Sequence, residues 1–417
     1  ELITALDIWA GDLIKQLKED GLYENTTVFF CSDHGVGLPR AKRWLYDSGT
    51  RIPLVVRIPE GFRTGVQGVP GSVTSRLVSS IDFGPTVLNL AGVNVPEVMQ
   101  GQPFLGDDLG KPRDYVFGAR DRMDERYDII RMARDHQYQY IRNYEPLKTF
   151  YQYMNTPEKG ALMQELRKGH EAGTLPPAAE YYFSPNKPVE ELYDTVNDPH
   201  ELNNLADDPR YAGTLARLRN AHLAWVKRTR DTGLIAEPIL VEREKIFGNR
   251  YDILRKTQDS DLSDRLADVA VAASSGEKAL PDLVKAMQDQ DAAVRYWGAV
   301  GIGNIGKPAF KVADLMQAAL KDDSAAVRIA AARALGRMDM AKEALPLLSR
   351  ELDKGAQWER LQAAIVLDEM DEQALPAKKA MHAALVPREE LYANGKYVVR
   401  VINRALNQLE GTQREVP

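Results

Sequence analysis

The sequence predicts an α/β N-terminal part with a small antiparallel α+β subdomain, followed by an all-α solenoid. Three observations carry this reading. An amphipathic helical stretch runs straight into a short apolar run that ends in a polar cluster. Past Gly118 the composition turns to Tyr, Arg and Asp in hairpin-like runs. Near the C-terminus Ala-Ala-Val-Arg recurs at 292–295 and 325–328, as paired-helix repeats do. The chain has 417 residues, too many for one ordinary domain and suited to two or three. The expected units are 1–115 (α/β), 116–240 (subdomain), 241–275 (linker helices) and 276–417 (repeats).

In chain order, Ile3, Leu6, Leu13 and Leu17 recur at helical spacing against Lys15, Lys18, Glu19 and Asp20, which predicts a helix over 1–20 that stops at Gly21. The run Thr26–Cys31 is β-branched and aromatic and predicts a buried parallel strand. Ile52–Ile58 predicts a second strand, and the Gly-rich residues 60–72 a loop. Ile81–Leu90 reads as a helix, with Asp82 as its N-terminal cap. Tyr127–Met132 and Gln137–Ile141 suggest a hairpin. Glu190–Leu205 reads as acidic turns, and Leu215–Val226 as a helix.

Leu283, Leu315 and Leu347 repeat the spacing of the C-terminal unit, and an acidic turn precedes each Ala-Ala-Val-Arg copy. The third copy, around Trp358-Glu359-Arg360, is degraded, as expected near a capping end. The Asp turn followed by Val-Arg resembles the PBS-lyase type of HEAT repeat. Arg295, Arg328 and Arg333 are expected to bond within and between repeats.

Composition excludes several functions. There are 54 Lys and Arg against 60 Asp and Glu, a net charge of −6, which argues against a dedicated nucleic-acid binder. No apolar run reaches the roughly 18 residues of a transmembrane helix. The single Cys31 excludes an internal disulfide and a Cys-cluster zinc site, and it reads as a small buried hydrophobe. His136, His170, His200, His222 and His382 read as surface or loop residues. Arg120, Arg122 and Arg126 alternate with acidic residues, which fits a solvated face, or alternatively a cleft wall for a sulfated sugar.

The chemistry lies in Ser32-Asp33-His34-Gly35, followed by Pro39-Arg40-Ala41-Lys42 and Tyr46-Asp47-Ser48-Gly49-Thr50-Arg51-Ile52-Pro53. Asp33 and His34 at a strand end offer a carboxylate oxygen and an imidazole nitrogen to one cation. Two ligands are too few to hold it alone. Lys42 and Arg40 can reach an anion held there. On spacing alone, a turn carboxylate and a surface histidine explain Asp33 and His34 equally well.

These residues resemble the second signature of type I sulfatases, in the alkaline phosphatase superfamily. Further matches are Ser80–Thr86, Ala91-Gly92-Val93, Gln100-Gly101 and Glu191-Leu192-Tyr193-Asp194 with Asp198-Pro199, Glu201 and Asn204-Leu205. The resemblance covers residues 1 to about 230. It implies the C-terminal part of an alkaline-phosphatase-like sandwich and the hydrolysis of sulfate esters on sugars or glycans. Asp33 is implied as a metal ligand, for Ca²⁺ or, as a second choice, Mg²⁺. His34 is implied as a second ligand or a contact to the nucleophile, Lys42 as the catalytic cation on the sulfate and leaving group, and Arg40 as a substrate-binding residue. Asp47 and Arg51 are expected to be structural and paired.

The family's formylglycine arises from Cys/Ser-x-Pro/Ala-x-Arg in its N-terminal half, beside two further Asp ligands, and neither is found here. These 417 residues are therefore expected to be inactive by themselves. The resemblance also implies a periplasmic or extracellular location. The rival readings are a phosphodiesterase or phosphonate hydrolase of the same superfamily, and a non-catalytic protein that binds a protein partner, or itself, through its repeats.

Overall fold

The computed structural model describes residues 2–63 and 69–415, so residues 64–68 of the expected loop lie outside the described residues. Helix α1 (Leu2–Glu19) ends at Gly21, whose φ of +71° closes it. None of its residues is buried. Strand β1 (Val28–Cys31) pairs with β2 (Leu54–Arg57), and the pairing corrects an expectation: the two strands are antiparallel, with Val28 opposite Arg57 and Cys31 opposite Leu54. A two-stranded ribbon cannot cover both of its own faces, so Phe30 and Cys31 are exposed, contrary to the buried strand and buried thiol expected. Helix α2 (Phe83–Leu90) follows a helical turn at Ser80–Asp82. Asp82 is the member that reaches back, its Oδ2 accepting the Ser79 N–H at 2.8 Å, while Oδ1 accepts from Gln102 N–H and Arg113.

The subdomain is one antiparallel sheet in the order β3 (Val116–Met123), β4 (Arg126–Arg134), β5 (Tyr138–Asn143), β6 (Glu190–Asp194). The expected hairpin is β4–β5, with Met132 opposite Ile141. β6 lies where acidic turns were expected. Its carboxylates are satisfied largely from other elements: Glu190 pairs with Arg219, and Glu191 accepts from Tyr46 and Asn143 as well as from Tyr193 on β6 itself. Helix α3 (Ala161–Glu171) sits in the long β5–β6 connection.

Side chains alternate across a strand, so the sheet has two different faces. Ile130, Met132, Ile141 and Tyr193 form one, packed with Trp44, Leu45 and Tyr46 from the Lys42 loop. Ala133, Tyr140 and Leu192 form the other, covered by Leu215 and Leu218 of α4 (Ala212–Thr229). His222 on α4 is fully buried, which corrects its reading as a surface residue; it lies between Tyr140 and Tyr144, and burial presses its pKa down to about 3.

After α5 (Glu237–Phe247) and α6 (Leu262–Ala272) come four helix pairs. They are α7 (Leu280–Ala286) with α8 (Ala292–Ile305), α9 (Ala313–Ala319) with α10 (Ala325–Arg337), α11 (Ala341–Lys354) with α12 (Gln357–Glu369), and α13 (Lys378–Ala383) with α14 (Lys396–Glu410). The third copy is thus a complete pair, with a fourth behind it. The expected arginine ladder is present. Arg295 pairs with Asp322 of the next acidic turn at 2.8 Å and Arg328 with Glu351 at 3.0 Å, and each also bonds two carbonyls of its own turn.

The repeats and the subdomain share one core, which joins Ile129 and Tyr144 to the helices. Trp297 donates its indole N–H to Leu234 O at 2.7 Å, and Arg333 bridges Glu369 in the repeats and Glu145 in the subdomain. Among the described residues no helix is long and apolar enough to cross a membrane.

Candidate functional site

Residues 32–50 fold into a loop that closes on itself. Gly35 N–H donates to Gly49 O, and Lys42 N–H donates to Val36 O. Both glycines are required by close approach. A Cβ on Gly35 would lie 2.0 Å from Ser48 O, and one on Gly49 would lie 2.2 Å from Ala41 O.

Lys42 sits between two residues with left-handed backbone, Arg40 (φ 58°) and Arg43 (φ 77°). Such conformations cost about 1–3 kcal/mol each and persist only where the surroundings hold them. Here both side chains are anchored. Arg43 grips Asp124 Oδ2 through Nε (3.1 Å) and Nη2 (2.7 Å). Arg40 lies 3.6 Å over the Tyr46 ring and donates to His200 O at 2.9 Å and Glu201 O at 2.5 Å.

Asp33 is the most exposed member, and His34 and Lys42 are half-buried. His34 Nδ1 lies 2.6 Å from Gly35 O. A carbonyl only accepts, so Nδ1 carries a proton, and Nε2 is the ring nitrogen left to face a ligand. That Nε2 lies 3.5 Å from Asp33 Oδ2. An oriented imidazole beside a carboxylate oxygen suits two positions around one divalent cation. It is not a whole site, because Ca²⁺ takes about six to eight oxygen ligands. Among the described residues no group of three or more His, Cys, Asp or Glu could hold a metal ion.

Behind the loop lies a layer that sequence reading left without a role. Asp47 takes a two-pronged grip from Arg134, both contacts at 2.9 Å. The expected partner Arg51 is 3.8 Å away and mostly exposed. Glu201 Oε2 accepts the Asp47 N–H at 2.7 Å, and its Oε1 accepts from Gln139. Burial first, then the Asp47 carboxylate, push the Glu201 pKa up to about 8, against the pull of Arg40 and Arg134. Tyr46 donates to Glu191 at 2.8 Å. So the Glu191–Asp194 and Asp198–Glu201 segments, which carried a resemblance and no function, hold the Lys42 loop in shape.

The Arg120–Arg126 run divides. Arg120 is buried 4.1 Å over Trp44, Arg122 stacks on Trp358 and pairs with Glu237, and Arg126 reaches Asp368 in the repeats.

Residues 2–93 match the sulfatase family model, and residues 280–368 match the HEAT-repeat model. The chain carries a sulfatase segment and HEAT repeats. It is 39% identical over 241 residues to an ulvan-active sulfatase of Formosa agariphila, covering 58% of this chain and 39% of that protein. It is 26% identical over 256 residues to human N-sulphoglucosamine sulphohydrolase, covering 58% of this chain and 49% of that protein. Among solved structures it resembles a phosphonate monoester hydrolase of Agrobacterium radiobacter at 21% identity and a TM-score of 0.35, covering 53% of this chain and 39% of that one. The chain thus spans less than half the length of these relatives.

The sulfatase segment contains no Cys/Ser-x-Pro/Ala-x-Arg string. One string elsewhere fits by letter, Ser324-Ala325-Ala326-Val327-Arg328, and this qualifies the expectation that none is present. It is the start of repeat helix α10, where Ser324 precedes the first turn and Arg328 is committed to Glu351, so it is repeat architecture.

Proposed function

We propose that the Asp33–Lys42 loop is the cation-bearing part of a sulfuric ester hydrolase that acts on sulfated sugars or glycans. The observation that carries this is the closed loop itself. It sets an oriented His34 next to Asp33 and fixes Lys42 between two anchored arginines, in a chain 39% identical to an ulvan-active sulfatase over its matched length.

In this reading Asp33 Oδ and His34 Nε2 supply two ligands to Ca²⁺, or to Mg²⁺, and the other ligands come from outside the described residues. A bound divalent cation would withdraw charge from the sulfate oxygens. Lys42 offers its ammonium to the sulfate and to the leaving oxygen, where negative charge grows as the S–O bond breaks. Arg40, with two N–H groups committed to carbonyls, is the candidate to bind a sulfate or carboxylate at the loop edge. The nucleophile, a formylglycine by the resemblance, is not drawn from the 417 residues. Cys31 lacks the motif, and the Ser324 string is a repeat helix start. The protein works in the periplasm or outside the cell on the same resemblance.

The test is sulfate release from ulvan and from sulfated glucosamine oligosaccharides by the whole protein that carries these residues, beside phosphate monoesters and diesters. Sulfate release, with none from the 417 residues alone, is the expected result. Faster turnover of phosphodiesters moves the protein to the phosphodiesterase reading, and no turnover of either class leaves the repeats as its function.

A further inference from the structure

A wide cleft lies away from the Lys42 loop. It has about 1450 Å³ between the subdomain and the repeats, above the roughly 300–1,000 Å³ of a small-molecule pocket. Two features of its walls point to an anionic ligand. Arg126 and Arg404 both reach Asp368, each at 2.7 Å, so two guanidinium groups share one carboxylate. The pattern recurs with Glu369, gripped by Arg333 at 2.6 Å and met by Arg337 only at 3.7 Å. Arg333 also reaches Glu145, which takes Lys148, so three cations there share two carboxylates. Burial, and then Arg333, press the Arg337 pKa down to about 10, the mark of a cation held where its charge is poorly compensated.

Another part of the lining is aromatic and polar. His170 stacks flat on Phe183 with ring centres 4.3 Å apart, and Arg167 is 45% exposed and pairs with Glu158 at 3.1 Å. Flat rings next to guanidinium groups suit the C–H faces of sugars and their anionic substituents. Glu158, Glu171 and Asp371 also line the cleft, so the wall has mixed sign and favours charges spaced along a chain over a dense polyanion. The aromatic cluster continues to the Lys42 loop: Phe183 contacts Tyr182, which meets Trp44 at 6.4 Å.

We infer that this cleft holds a stretch of sulfated polysaccharide, as a binding site separate from the loop chemistry. The inference rests on the sulfated-glycan reading above and extends it to the repeats, which would then form one wall of a saccharide site.

The test is binding alone. The 417-residue chain is measured by calorimetry against carrageenan, chondroitin sulfate and fucoidan, each beside its desulfated form. At least one sulfated polymer should bind, with its desulfated form weaker by about tenfold or more, the scale of one lost charge-assisted contact. Arg337→Gln and Arg167→Gln should each weaken binding by about tenfold. Arg167 is exposed on α3, so its variant stands even if Arg337→Gln unfolds a repeat. Trp9→Ala, on the exposed helix α1, should bind as wild type does.

Absence of binding to any polymer, equal binding of a desulfated form, or wild-type affinity in Arg167→Gln overturns the inference. None of these outcomes bears on the reading of the Lys42 loop. Sulfate release by the whole protein judges that reading independently.

Discussion

Helices α1 and α10 were both legible as helices, yet they live in different surroundings. In α1 no residue is buried, and Ile3 and Trp9 stand 84% and 67% exposed. In α10 the run Ile329–Gly336 is buried throughout, Arg333 included. Helical period is local information carried by spacing; burial depends on which other elements arrive. The alanines of α10 let neighbouring helices approach on both sides, and Arg333 is tolerated there because Glu369 and Glu145 meet it. The sulfatase segment therefore keeps its order through loop hydrogen bonds and side-chain anchors, while the repeats keep theirs through packing.

That contrast can be broken by substitution. The largest effect is expected for Trp297→Ala at the junction of repeats and subdomain, where the indole is 1% exposed and hydrogen-bonded to Leu234 O. It should cost about 3–5 kcal/mol in urea unfolding. A loss below about 1 kcal/mol would mean that the two units do not share a core.

Next is Glu145, whose carboxyl burial would raise but which Lys148 and Arg333 hold at about 2 against an ordinary 4.5. Its folded value is depressed, so its contribution is complete above about pH 4.5 and is lost as the pH falls toward 2. Glu145→Gln should remove on the order of 3 kcal/mol at pH 7 and flatten the acid limb of the stability curve.

Gly49→Ala tests the loop alone. A methyl group 2.2 Å from Ala41 O must open the turn that fixes Lys42. The cost should be about 1–3 kcal/mol, confined to this segment, with the melting of the repeats unchanged by circular dichroism.

Glu201 gives a pH effect of opposite sign. Its folded value of about 8 lies above the ordinary 4.5, so its contribution is complete below about pH 4.5 and is lost as the pH rises through 8. Protection against amide exchange in residues 40–50, relative to the intrinsic base-catalysed rate, should fall over that range in the wild type and hold constant in Glu201→Gln; the same fall in both would clear Glu201 of the role. The smallest effect is Trp9→Ala, expected within about 0.5 kcal/mol because nothing described packs on it.

The same contrast explains what could be read from the sequence. The repeats carry their own partners at fixed spacing, so Arg295 reads as bonding within and between repeats, and the structure supplies Asp322 as its partner. The Asp33–Lys42 segment stands out in the sequence through its resemblance to a signature, whereas spacing alone reads equally well as a turn carboxylate and a surface histidine. The sense of the β1–β2 pairing was not legible, because an apolar run of four residues reads alike in parallel and antiparallel sheets. The strand at Glu190–Asp194 was hidden by its carboxylates, whose partners Arg219 and Tyr46 lie far away in sequence. His222 was misjudged for the same reason: its polar helix neighbours said nothing of Tyr140 and Tyr144.

The central claim is that Lys42 acts on a sulfate held at the Asp33–His34 end of this loop. It is tested most directly by sulfate release from the whole protein carrying Lys42→Ala, beside Lys42→Arg and the wild type, with amide exchange over residues 32–50 as the check on loop shape. The account predicts a loss in kcat of about 100-fold or more in Lys42→Ala with exchange unchanged, and partial recovery in Lys42→Arg. Wild-type sulfate release in Lys42→Ala would contradict it.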